Sequence, residues 1–148
     1  MQFSQKCQYA LRATFELARR GGESPVKVAE IAASQAIPPR FLEVILNQLK
    51  RGGFLNSWRG ASGGYSLARS PNELTIGEII RFVEGPIAPV TCMTGRSDDK
   101  CPLYGDCVFL DVWTSALDAM VAVFDHTTLQ DLVDRQSQKS VCEPTYCI

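Results

Sequence analysis

The chain has 148 residues, 45% of them apolar and 21% charged, with six cysteines and one histidine. That suffices for one ordinary domain with its own core, and no apolar run approaches the roughly 18 residues of a membrane-spanning helix, so no membrane partner is expected. The net charge of −1 hides a division: residues 1–69 carry ten Lys/Arg against four Asp/Glu, and residues 70–148 carry five against twelve. The first part suits phosphate, and the second must point away from it.

In chain order, Ala10, Leu11, Ala13, Phe15, Leu17 and Ala18 recur at helical spacing and predict a helix over 4–20, ended by Gly21-Gly22. The opening stretch Met1–Lys6 lacks an apolar signal segment, so a cytoplasmic location is expected, with reduced thiols. Pro25 opens a short helix over 26–34 with Val28, Ile31 and Ala32 inward. After the break at Ile37-Pro38-Pro39, a helix over 38–51 is expected to bury Phe41, Leu42, Ile45, Leu46 and Leu49. Its other side carries Arg40, Glu43, Val44, Asn47, Lys50 and Arg51. Two strands near 54–58 and 64–68 flank the glycine-rich tip Arg59–Gly63. Two helices at a sharp turn followed by a hairpin is the order of a winged helix-turn-helix, a DNA reader.

Thr75-Ile76-Gly77-Glu78 is a capping box that starts a helix to Glu84, which Gly85-Pro86 ends. The loop over 86–107 holds Cys92, Cys101 and Cys107, spaced C-x8-C-x5-C. Thiolates select iron–sulfur clusters, zinc or copper(I), and this spacing lacks the C-x2-C pairs of common zinc sites. A long helix follows over 107–126. Phe109, Val112, Trp113, Ala116, Met120 and Val123 make one stripe, which Leu110, Leu117, Val121 and Phe124 widen. A stripe so broad needs cover on two sides, which predicts a homodimer. Residues 1–70 thus read as the DNA-binding region, 71–136 as helix, cysteine loop and dimerisation helix, and 137–148 as a polar, flexible tail. No nucleophile–base pair or phosphate-binding loop is visible, and the lone His126 suits a helix C-terminus, so no enzyme is expected.

The runs Tyr9-Ala10-Leu11, Glu30-Ile31-Ala32, Phe41–Leu46 and the wing pattern Ser57-Trp58-Arg59-Gly60 through Gly63-Gly64-Tyr65 resemble the iron–sulfur cluster regulator family (IscR/NsrR/CymR-like) over roughly residues 1–135. The resemblance implies a mainly α fold: a winged helix-turn-helix with a two-stranded wing and a long C-terminal dimerisation helix. It implies a transcriptional regulator, read as a repressor, on double-stranded DNA. Arg40, Glu43 and Val44 stand at i, i+3 and i+4 and enter a major groove together: Arg for guanine, Glu for cytosine, and Val44 for a thymine methyl where relatives are often polar. Arg59 at the tip, beside Gly60, suits a narrow minor groove, and Ser57 a phosphate.

The resemblance also implies that Cys92, Cys101 and Cys107 hold an iron–sulfur cluster, with 2Fe-2S ahead of 4Fe-4S, sensing iron–sulfur, redox or nitric-oxide status. Two departures stand out. The first gap is longer than usual, and Leu110 stands where well-known relatives carry a ligating His. The fourth ligand stays open among Asp111, Cys7, Gln8, Cys142 and Cys147. The rival reading is a cluster-free or zinc- and thiol-based regulator on the same fold, controlled by a small ligand or a protein partner.

Overall fold

A computed structural model describes residues 2–21, 24–60, 62–94, 101–103 and 106–141. The order is α1 (Gln5–Arg19), α2 (Val28–Gln35), α3 (Pro39–Arg51), β1 (Leu55–Trp58), β2 (Gly64–Leu67), α4 (Ile76–Glu84), a single 3-10 turn (Thr91–Met93), α5 (Leu110–Asp125) and α6 (Leu129–Val141). This is the expected mainly α winged helix-turn-helix. Among the described residues no helix is long and apolar enough to cross a membrane.

The core is built by α1, α2, α3, the hairpin and α4. Cys7, Ala10, Ala13 and Leu17 of α1 meet Ile31 of α2, Leu42, Leu46 and Leu49 of α3, and Ile79 and Ile80 of α4, all buried. Ser4 starts α1 by accepting the Cys7 amide at 3.2 Å, and its hydroxyl also donates to Glu84 at the end of α4. The capping box at α4 is present in both halves: Thr75 Oγ1 accepts from the Glu78 amide, and Glu78 Oε2 from the Thr75 amide, each at 3.2 Å.

The hairpin is antiparallel, with Leu55 opposite Leu67 and Trp58 opposite Gly64. Val26 joins its edge: its amide donates to the Tyr65 carbonyl at 2.8 Å, and the Tyr65 amide donates back at 2.9 Å. This pairing holds Val26 extended and delays α2 to Val28, two residues later than expected. It also dictates glycine next door, since a Cβ on Gly64 would lie 2.4 Å from the Val26 carbonyl oxygen.

Two expectations need correction. Phe41, assigned to the buried side of α3, is 65% exposed. At 100° per residue it stands about 90° from the centre of the exposed face, on the flank of the helix and outside the arc of Leu42, Ile45, Leu46 and Leu49. The segment 137–141, read as tail, is the end of α6. That helix starts with a second reciprocal cap, in which Thr128 Oγ1 accepts from the Asp131 amide at 3.1 Å and Asp131 Oδ2 from the Thr128 amide at 2.7 Å. Leu129 is then fully buried, its amide donating to the Leu74 carbonyl at 2.9 Å, so α6 returns to pack on α1.

Helix α5 differs from all of this. None of its residues is buried. Leu117 and Val121 line an open groove with Arg81, Gly85, Pro86 and Ile87, and Phe124 stacks edge-on against Phe3 at 5.8 Å. Arg81 Nη2 binds Asp125 Oδ2 at 2.5 Å and ties the end of α5 to α4.

Candidate DNA-reading face and cysteine cavity

The exposed side of α3 carries Arg40, Glu43, Val44 and Asn47, all open to solvent. Beside it a cavity of about 570 Å³ runs between α3 and the wing, lined by Lys27, Asn47, Lys50, Ser57, Trp58, Arg59 and Gly60 among others. Tyr65 donates its hydroxyl to Asn47 Oδ1 at 3.3 Å and joins the wing to the helix. Gly60 has φ +98°, a left-handed conformation that glycine adopts without strain, and it turns the tip just after Arg59. The structure therefore brings Arg40, Glu43, Val44, Ser57, Arg59 and Gly60 to one side of the molecule.

Sequence reasoning missed Lys27 and did not single out Lys50 for DNA contact. Both were visible as cations within the +6 half, but only the fold brings residue 27 beside residue 50. The charges here are free. Among the described residues Lys27, Arg40, Lys50, Arg51 and Arg59 form no ion pair, whereas Arg19, Arg20, Arg69 and Arg81 are tied to carboxylates. A cation without a protein partner can neutralise phosphate and release counterions without first losing a bond.

The paired cations do structural work elsewhere. Glu16 is fully buried and accepts from Arg19 Nη2 at 2.8 Å, Arg20 Nε at 2.7 Å and Gln35 Nε2 at 2.9 Å. Burial alone would raise its pKa, but these hydrogen bonds outweigh it and bring the carboxyl down to about 2. Arg20 also reaches Glu30 at 2.6 Å, so the network locks α1 to α2 behind the reading helix.

On the opposite part of the chain, Cys92, Cys101 and Cys107 line one cavity of about 350 Å³, walled by Val90, Met93, Leu110 and Trp113. Cys92 sits on the 3-10 turn, and Cys107 just before α5, whose first turns supply Leu110 and Trp113. Trp113, assigned from sequence to the dimer core, is thus a wall of the thiol cavity. The signal was available: residues 107, 110 and 113 are spaced to share one helix face.

The donor set fits a thiophilic group. Three soft ligands face one chamber whose other walls are apolar, and a dry wall strengthens thiolate–metal attraction. The fit is incomplete, because among the described residues no three His, Cys, Asp or Glu side chains converge at metal-ion distances.

Among the described residues, none of the fourth-ligand candidates lines the chamber. Asp111 is exposed on α5 and absent from the wall. Cys7 is fully buried in the core, where burial, reinforced by the Glu84 carboxylate, pushes its thiol up to about 11. It is a core residue and, within one chain, has no route to the cavity. Gln8 is exposed, its amide donating to the Phe3 carbonyl at 3.1 Å. Cys142 and Cys147 lie outside the described residues. His126 caps α5, with Nδ1 donating to the Ala122 carbonyl at 2.7 Å.

The sequence pattern of the Rrf2 family, described as an iron-dependent transcriptional regulator, matches residues 3–135. The HTH-type transcriptional regulator CymR of Bacillus subtilis is 36% identical over 132 residues, which is 89% of each chain. The solved structure of CymR, the global cysteine regulator of B. subtilis, superposes with TM-score 0.74 at 36% identity, over 91% of this chain and 98% of that one. T. potens IscR superposes with TM-score 0.72 at 32% identity, over 92% and 88%.

Proposed function

Because the chain belongs to the Rrf2 family of winged-helix DNA-binding transcriptional regulators, we propose that it is a homodimeric cytoplasmic repressor whose grip on DNA is set by an iron–sulfur cluster on Cys92, Cys101 and Cys107. The observation that carries this is the shared cavity: three thiols and four apolar side chains around one chamber at the root of α5. Arg40, Glu43 and Val44 read the major groove, Arg59 and Gly60 follow the minor groove, and Ser57 with Lys27 and Lys50 hold phosphates.

Cys92, Cys101 and Cys107 would hold the cluster, which supplies a redox- and ligand-sensitive centre when bound. The chain's own part is mechanical. Cys107, Leu110 and Trp113 attach the chamber to α5, and Arg81–Asp125 and Phe3–Phe124 attach α5 to the reading head. A change in the chamber that tilts α5 changes the spacing of the two heads in a dimer. The second reading, a zinc- or thiol-based regulator without a cluster, is favoured by the likeness to a cysteine regulator and by the three thiols not converging at metal-ion distances among the described residues.

Purification without oxygen, followed by iron, sulfide and zinc analysis, separates the two. The cluster reading expects iron and sulfide with visible absorption, abolished or destabilised by each of Cys92→Ala, Cys101→Ala and Cys107→Ala. Stoichiometric zinc without sulfide, or no metal at all, selects the second reading.

A further inference from the structure

Helix α3 exposes two large apolar side chains, Val44 on the face that carries Arg40 and Phe41 on the adjoining flank. Phe41 and Val44 are each 65% exposed, although α3 has an ample buried side in Leu42, Ile45, Leu46 and Leu49. They stand at i and i+3 in the first two turns, so their side chains are neighbours. At 100° per residue Val44 lies about 40° from Arg40 and about 60° from Phe41, so the pair forms one apolar spot against a guanidinium. Burial does not explain the spot, and exposed apolar groups of this size cost solvation unless a partner covers them.

The surrounding charge identifies the partner. Unpaired Arg40, Arg51, Lys50 and Arg59 exclude another cationic surface and attract a polyanion. In the major groove of a duplex, the C5-methyl of thymine is the apolar feature that marks one base pair among four.

We infer that Phe41 and Val44 form a thymine-methyl reader, and that the target half-site carries thymines opposite the first two turns of α3. This rests on the DNA-binding function above and deepens it: Arg40 and Glu43 choose by hydrogen bonds, while Phe41 and Val44 choose by shape and apolarity. Phe41 adds a contact on the side of α3 away from Lys50 and the wing, which widens the read stretch beyond the Arg40–Glu43–Val44 set.

The test starts from a duplex selected in vitro by the full chain. Each thymine is replaced singly by deoxyuridine, which removes only the methyl group, and affinity is measured at fixed salt by fluorescence anisotropy. One or two positions should weaken binding about fourfold, the loss expected for one buried methyl. At those positions Phe41→Ala or Val44→Ala should already bind more weakly and show no further loss with deoxyuridine. Phe41→Leu, which keeps an apolar side chain, should restore part of the sensitivity. Both side chains are mostly exposed, so the variants should melt like the parent.

Uniform tolerance of deoxyuridine, together with weakened binding by Arg59→Ala, overturns the thymine reader and leaves the DNA reader standing. Equal deoxyuridine losses in parent and alanine variants also overturn it. If no sequence is enriched and Arg59→Ala binds as the parent does, the DNA-reading assignment falls, and this inference with it.

Discussion

The reading head and helix α5 are made of similar residues and treat them oppositely. In the head, Leu42, Leu46, Leu49, Ile79 and Ile80 are buried, and the fully buried carboxylate of Glu16 has its partners beside it. In α5, Val112 is 58% and Val123 62% exposed, and no residue is fully buried. The head can therefore fold on its own contacts. Helix α5 is held by the Arg81–Asp125 pair and the Phe3–Phe124 contact, and its outer stripe stays exposed among the described residues. A regulator gains from this division, because a rigid reader attached to a weakly anchored helix can be re-aimed by a small change at the anchor.

The largest expected effect breaks the comparison at α5. Leu117 and Val121 already face the chain's own groove, so the proposed dimer would pair through the outer stripe of Phe109, Val112 and Val123. Val112→Glu with Val123→Glu should convert a dimer to monomers in sedimentation, because unpaired carboxylates in an apolar interface cost a few kcal/mol each. The head should keep its helical circular dichroism. If the parent chain is monomeric at micromolar concentration, or the variant still pairs, α5 is not the interface.

A smaller effect probes the head. The carboxyl of Glu16 sits at about 2 in the fold, against an ordinary value of 4.5. Its contribution is therefore present above pH 4.5 and is lost as pH falls from there toward 2. The loss should be about 1–2 kcal/mol after screening around the partly exposed arginines. Thermal melts of the parent should fall across that window, and Glu16→Gln should flatten the dependence. A variant with the same acid slope as the parent would show that the α1–α2 lock lies elsewhere.

The smallest effect is at the turn between α2 and α3. Ala36 sits at φ 48°, ψ 49°, a left-handed cap that favours glycine. Ala36→Gly should raise stability by about 0.5–1 kcal/mol, read as a shift in Tm, because relief of strain exceeds the added freedom of the unfolded chain. Unchanged DNA affinity should accompany it, since Ala36 lies outside the cavity between α3 and the wing.

By itself the amino-acid order determined the elements of the head and the chemistry of the loop. Proline, glycine pairs and the Thr75–Glu78 box marked boundaries within two or three residues, because these act through the local backbone. The charge division pointed to a polyanion and the cysteine types to a thiophilic group, because these are properties of side chains wherever they lie. Where long-range contacts decide, the reading stopped. Helix α6 escaped notice because Leu129, Leu132 and Val133 span little more than one turn; the Thr128–Asp131 cap marks its start locally, but only the bond from Leu129 to Leu74 shows what it packs on.

Only the tertiary structure turned Phe41 outward, because an apolar residue on the flank of a helix faces core or solvent according to what packs beside it. Only it moved Trp113 to the thiol cavity and Cys7 away from it, and only it put Leu117 and Val121 against the chain's own α4. Periodicity defines a stripe on a helix, but the neighbours that cover each edge of that stripe come from distant sequence, and no local rule contains them.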